Sequence, residues 1–207
     1  LARRAHRRGI HGHLDGAQSW GAHHVDLKDL GCDSYAASAH KWFCGPREVG
    51  LLYVRDERIA AIWPQVVAPG WGDTPETVLK GARKFESMGQ RDDAALAGVG
   101  AAAEFQDTIG VKRIDERVTA LATELKSSLL EAGAKLTTPE SPSLSGGVCI
   151  MQVPEANRAK VFEAMYTEFG IAGSTSGGLR LCPAFYNTRE HVQRAVEGVK
   201  KLRHLWA

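Results

Sequence analysis

Residues 14–54 read LDGAQSWGAHHVDLKDLGCDSYAASAHKWFCGPREVGLLYV, and their punctuation decides the fold. A short apolar run over residues 10–14 stops at Asp15-Gly16, a pair with turn character. Residues 25–31 have the length of one or two helical turns. They end at Gly31, the residue type that most easily takes a left-handed conformation after a helix. A second strand is expected at about 33–37, running into Ser38-Ala39-His40-Lys41. Gly45-Pro46 breaks the chain, and GLLYV (50–54) forms a third strand, followed by a short helix around 56–62. Strands separated by helical pieces of this length argue for α/β layers.

Working outward, residues 1–8 read as a helix stopped by Gly9. Residues 63–75 combine proline, glycine and aromatic residues, including Trp63 and Trp71, as an ordered loop would. A helix is expected from Asp92 to a break at Gly110. A second follows, with Ile114, Val118, Leu121, Leu125 and Leu129 at helical spacing, ending at Gly133. Then come a loop (141–147), a strand (148–153), a helix (158–169), a strand (179–182) and an amphipathic helix (188–205). The last helix runs through Val192, Val196, Val199 and Leu202, with Asn187 and Glu190 as its capping box. The pattern gives an α/β domain over 1–105 and a smaller α+β domain over 106–207.

Composition narrows the function classes. Of 207 residues, 43% are hydrophobic and 24% charged, and the net charge of +2 gives no reason to expect a nucleic-acid partner. No apolar run reaches the roughly 18–20 residues of a membrane span. Cys32, Cys44, Cys149 and Cys182 are scattered, with no CxxC pair, which suits a reducing, cytoplasmic setting. His11, His13, His23 and His24 lack companions at ligand spacing, so no metal site is expected. Arg3, Arg4, Arg7 and Arg8 read as the solvated face of a helix.

The chemistry concentrates at two strand ends. Asp15 ends the first strand, Gln18 follows three residues on, and Ser38, His40 and Lys41 follow the second strand. Ligands of open α/β sheets collect at the carboxyl ends of strands. A carboxylate, an amide, a hydroxyl, an imidazole and a lysine converging there are what a pyridoxal 5'-phosphate (PLP) site requires.

The D-G-A-Q, H-K-W and G-P-x-x-V-G-x-L-Y elements, in this order and spacing, resemble the core of the class V aminotransferase group of fold-type I PLP enzymes. That group includes cysteine desulfurases and isopenicillin N epimerase-like proteins. LRLCPAFYNT (179–188) is similar to the group's R-x-S-x-x-x-Y-N-T segment, so the resemblance reaches almost the whole chain. It implies part of a large PLP-binding domain with a mixed, mostly parallel sheet, followed by the small C-terminal domain. By this resemblance Lys41 is the catalytic Schiff-base lysine and Asp15 pairs with the pyridine nitrogen. Gln18 bonds the ring's phenolic oxygen, Ser38 and His40 contact the phosphate, and Arg180 clamps the substrate carboxylate. Asn187, carried along in the Y-N-T motif, is expected to be structural.

FESMGQRD (85–92) resembles F-E-x-x-G-T-R-D of the epimerase-like members, whose threonine reaches the phosphate in the partner subunit. Gln90 stands at that position, which implies a homodimer. The implied activity is epimerase or aminotransferase chemistry at the α-carbon of an amino acid, an isomerase or a transferase. The alternatives are a desulfurase, a carbon–sulfur lyase, or a silent subunit needing another chain. Residues 170–178, where desulfurases carry their reactive cysteine, contain none, and Cys182 is expected to be buried. Complete members carry a long segment before the D-G-A-Q strand, so a fragment, or a half-site completed by a second chain, is expected.

Overall fold

The computed structural model describes residues 2–69, 80–86 and 89–207. Two compact units form: one comprises the chain through Trp20 together with Val25–Thr108, the other Gly21–His24 together with Ile109–Ala207. Each has its own core.

The first unit contains α1 (Ala2–His6), β1 (His13–Asp15), α2 (Leu27–Leu30), β2 (Ser34–Ser38), β3 (Gly50–Val54), α3 (Asp56–Ile59) and α4 (Asp93–Ile109). Its sheet has the order β1-β2-β3, with β1 parallel and β3 antiparallel to β2. The sheet is mixed, as expected. Asp26 caps α2 by accepting from the Lys28 and Asp29 N–H groups (2.8 and 3.0 Å), and Gly31 ends it at φ 61°.

β1 starts three residues later than the apolar run suggests. Its intended first residues are committed elsewhere: the Gly12 N–H donates to Asp33 Oδ2 at 2.7 Å, and Ile10 is exposed. Asp33, fully buried, also accepts from His6 Nε2 and Arg58 Nε, both at 2.8 Å, so one carboxylate ties α1, the residue leading into β1 and α3 together. Burial pushes this carboxyl up. The Gly12 N–H, Arg58 and His6 overcome that penalty and hold it well below the usual carboxylate range.

The second unit contains α5 (Val111–Glu131), β4 (Cys149–Met151), α6 (Arg158–Phe169), β5 (Leu179–Leu181), α7 (Arg189–Lys201) and α8 (Arg203–Trp206). The α5 stripe Ile114, Val118, Leu121, Leu125 and Leu129 is buried, as its spacing predicts. β4 and β5 pair antiparallel, and their alternation turns Cys149, Met151, Leu179 and Leu181 inward against α6 and α7.

Two local readings change. The capping box of α7 is Thr188 with His191: the Thr188 hydroxyl accepts the His191 N–H and the Thr188 N–H donates to His191 Nδ1. Asn187 instead accepts the Ala184 N–H at 2.8 Å, which closes the preceding turn. The final helix is also interrupted at Leu202, after which Trp206 turns back to donate to the Val199 carbonyl at 2.7 Å.

Candidate active site

The site in the first unit follows from the parallel pairing of β1 with β2. Asp15 lies opposite Ala36, so both strands end at the same edge of the sheet. The pleat places Ser38, two residues beyond Ala36, on the sheet face that carries Asp15. The loop after β1 carries Gly16 and Gln18, and the turn after β2 carries His40 and Lys41.

Gly16 is required by its neighbour. A Cβ there would lie 2.0 Å from the Tyr35 Cζ atom, and the Gly16 N–H donates to the Ala36 carbonyl at 2.7 Å. Without a side chain, the chain turns tightly over the Tyr35 ring and leaves Asp15 exposed at the rim. Asp15 Oδ1 accepts the Ala17 N–H at 2.8 Å, which orients the carboxylate.

The turn at residues 39–45 is held by burial on both sides of its tip. Ala39, Trp42 and Phe43 are buried, whereas His40 and Lys41 are exposed. The Gly45 N–H reaches back to the Ala39 carbonyl (2.8 Å) and the Cys44 N–H to the Lys41 carbonyl (3.1 Å). Phe43 stacks on Trp20 with ring centroids 3.9 Å apart, and Trp42 Nε1 donates to Gln18 Oε1 at 3.0 Å. The two loops are thereby joined. The Lys41 amine makes no hydrogen bond or ion pair among the described residues, so it is available for chemistry.

Asp15, Gln18, Ser38, His40 and Lys41 are thus brought to one end of one small sheet. Gln90 is exposed, two residues before Asp92, whose carboxylate caps α4 by accepting the Ala95 N–H at 3.0 Å. Arg180 belongs to the second unit. It pairs with Ile150 in the β4–β5 ladder and projects its guanidinium to the face opposite the core. Cys182 corrects an expectation. It is exposed, because the same alternation that buries Leu179 and Leu181 turns Arg180 and Cys182 outward, and Arg180 Nε lies 3.4 Å from its sulfur.

The remaining flagged residues are structural or solvated. His11 and His13 both bond the Ser34 hydroxyl (2.9 and 2.8 Å), and His23 Nδ1 bonds Asp115 Oδ1 at 2.7 Å. The four N-terminal arginines are exposed. Trp63 is 73% exposed, and Trp71 lies outside the described residues, as do positions 87 and 88 of the FESMGQRD segment. Sequence reading missed the bond from Trp42, within the turn that carries Lys41, to Gln18, and it missed Gln106, which touches that turn. Gln106 had one signal: it stands four residues after Ala102, on the apolar side of α4.

No helix among the described residues is long and apolar enough to cross a membrane. The family profile described as aminotransferase class-V matches residues 1–195. Isopenicillin N epimerase of Amycolatopsis lactamdurans is 32% identical over 98% of this chain and 55% of its own length. Cysteine desulfurase of Enterobacter sp. (strain 638) is 28% identical over 98% of this chain and 53% of its own. The chain therefore spans about half the length of the curated relatives it matches. Among solved structures, the apo cysteine desulfurase of Thermococcus onnurineus NA1 superposes with a TM-score of 0.85 at 23% identity, covering 97% of this chain and 54% of that one. The fold and the profile agree: this chain belongs to the class V aminotransferase family of fold-type I, PLP-dependent enzymes.

Proposed function

We propose that the polypeptide carrying this chain is a PLP-dependent enzyme acting at the α-carbon of an amino acid, with isopenicillin N epimerase-like chemistry. The observation that carries the reading is Lys41. Its exposed amine, without a partner among the described residues, follows β2 at the sheet edge where Asp15 ends β1.

The donor set fits the cofactor. The Gln18 carbonyl oxygen is taken by Trp42 Nε1, which leaves the amide N–H groups as the donors for a phenolic oxygen. The Asp15 carboxylate is oriented by one backbone N–H and otherwise open to a pyridine N–H. Ser38 and His40 supply a hydroxyl and an imidazole for a phosphate, to which Gln90 of a second copy would add an amide in a homodimer. When bound, PLP supplies an aldehyde for a lysine amine and a ring that withdraws electrons from the substrate's α-carbon.

The chain's own residues do the rest. Asp15 holds a proton on the ring nitrogen, Lys41 Nζ takes the α-proton as general base, and Arg180 binds the substrate carboxylate with two parallel N–H bonds. Inversion of the centre would need a proton donor on the face opposite Lys41, and bound PLP would supply the alternative proton-accepting carbon that aminotransferase chemistry uses.

Reduction with borohydride in the presence of PLP should fix the cofactor on the peptide containing Lys41, and Lys41→Ala should abolish that adduct. Loss of the α-proton to deuterium oxide, scored for chirality and for oxo-acid product, then separates epimerase from aminotransferase. An unlabelled Lys41 peptide in the intact protein overturns the reading.

A second reading, desulfuration, is favoured by the exposed Cys182 thiol beside the Arg180 guanidinium. Sulfide release from L-cysteine that disappears in Cys182→Ser would select it over epimerisation.

A further inference from the structure

We infer that Gln106 is a positioning residue for Lys41, an assignment that rests on the role proposed for Lys41 above. Gln106 lies on α4, more than sixty residues along the chain from the turn, and is 3% exposed. Its Nε2 group donates to the carbonyls of Trp42 and Phe43, at 3.2 and 3.3 Å. These are the carbonyls of the two residues that follow Lys41.

The turn does not satisfy these carbonyls by its own backbone. Its internal bonds run from Gly45 to Ala39 and from Cys44 to Lys41, with the Ala39 N–H committed to the Val49 carbonyl. Among the described residues, the only other donor to either carbonyl is the weak Cys44 thiol, 3.6 Å from that of Trp42. Trp42 and Phe43 are buried, so the orientation of their peptide planes depends on a donor brought from outside the turn. One side-chain amide with two hydrogens supplies both bonds.

The same face of α4 is shaped for the approach. Gly98, Ala102 and Gln106 recur every fourth residue. Ala102 packs with Ala39 and Phe43, and a Cβ at Gly98 would lie 2.6 Å from Pro46 Cγ. Small residues bring the helix close along residues 39–46, and the amide then locks the backbone immediately after the amine. Gln106 touches neither substrate nor cofactor. It acts by fixing the direction in which the Lys41 side chain leaves the turn.

The test uses Gln106→Met, which keeps the volume and removes both donors, with Gln106→Asn as a shorter amide. In the intact protein without PLP, trinitrobenzenesulfonate labelling followed by peptide mapping reads the reactivity of Lys41. With PLP, the borohydride-trapped fraction on Lys41 is followed against pH. At a temperature where circular dichroism shows each variant folded, the Met variant should change the Lys41 labelling rate by about tenfold relative to the other exposed lysines, and should shift the pH midpoint of trapping. Asn should fall between Met and wild type. Should Met fail to fold, Asn supplies the same two readouts. Wild-type labelling and an unmoved midpoint in any folded variant overturn the assignment, even if its stability is reduced. Should the wild type trap no PLP, the reading of Lys41 fails separately, and the cofactor-free labelling still decides whether Gln106 governs that amine.

Discussion

Trp42 Nε1 donates to Gln18 Oε1 across 3.0 Å, and together with the Trp20–Phe43 stack this bond joins the loop after β1 to the turn after β2. Trp42 is buried, so the indole is a fixed donor and the amide it holds has one orientation. Trp42→Phe keeps an aromatic ring and removes the donor, which frees the Gln18 amide to rotate. A bond of this kind is worth about 1 kcal/mol, so PLP affinity should fall about fivefold with little change in melting temperature. Equilibrium dialysis against PLP measures it.

Asp33 is the anchor of the first unit. Asp33→Asn removes the charge that answers Arg58 and His6 and should destabilise the fold by about 3 kcal/mol in urea denaturation. The sign of the pH dependence follows from the depressed carboxyl. The contribution is complete above the unfolded carboxylate value of about 4 and is lost as pH falls below it. The stability gap between wild type and Asp33→Asn should therefore narrow on acidification.

The tight approach of Gly16 to Tyr35 predicts intolerance of any side chain. Gly16→Ala pushes a methyl into the ring and should cost about 2 kcal/mol, with loss of PLP binding because Asp15 moves with it. Tyr35→Ala in the same chain should restore part of the binding, which calorimetric titration with PLP would detect.

Lys126 is 2% exposed, and its ammonium donates to the carbonyls of Pro139 and Glu140 and to the Ser145 hydroxyl. Three donors meet three neutral acceptors, so this buried cation pins the loop before β4. Lys126→Met should destabilise by about 3 kcal/mol and raise amide exchange selectively at residues 139–145. Hydrogen-exchange mass spectrometry reads both.

The cysteines should separate cleanly. Burial pushes the Cys149 thiol up to about 12, outweighing the lowering by Lys126, whereas Cys182 is exposed. Iodoacetamide at mildly alkaline pH should alkylate Cys182 in the folded protein and reach Cys149 only after denaturation. Early alkylation of Cys149 would contradict the packing of β4.

Much of this protein is legible from sequence because local physics is decisive there. The α5 stripe from Ile114 to Leu129, the glycine stop at Gly31 and the break between α4 and α5 at Gly110 follow from periodicity and from the conformational freedom of glycine. The D-G-A-Q and H-K-W elements, with their spacing, identified the family. Tertiary structure alone decided the rest. Whether residues 10–12 join β1 depended on a carboxylate more than twenty positions away, and whether Cys182 is buried depended on which face of β5 met α6 and α7. The support of Lys41 by Gln106 depended on bringing a helix back over a turn. A side chain's partner is set by distance in space, and neither periodicity nor propensity records that distance until the chain has folded.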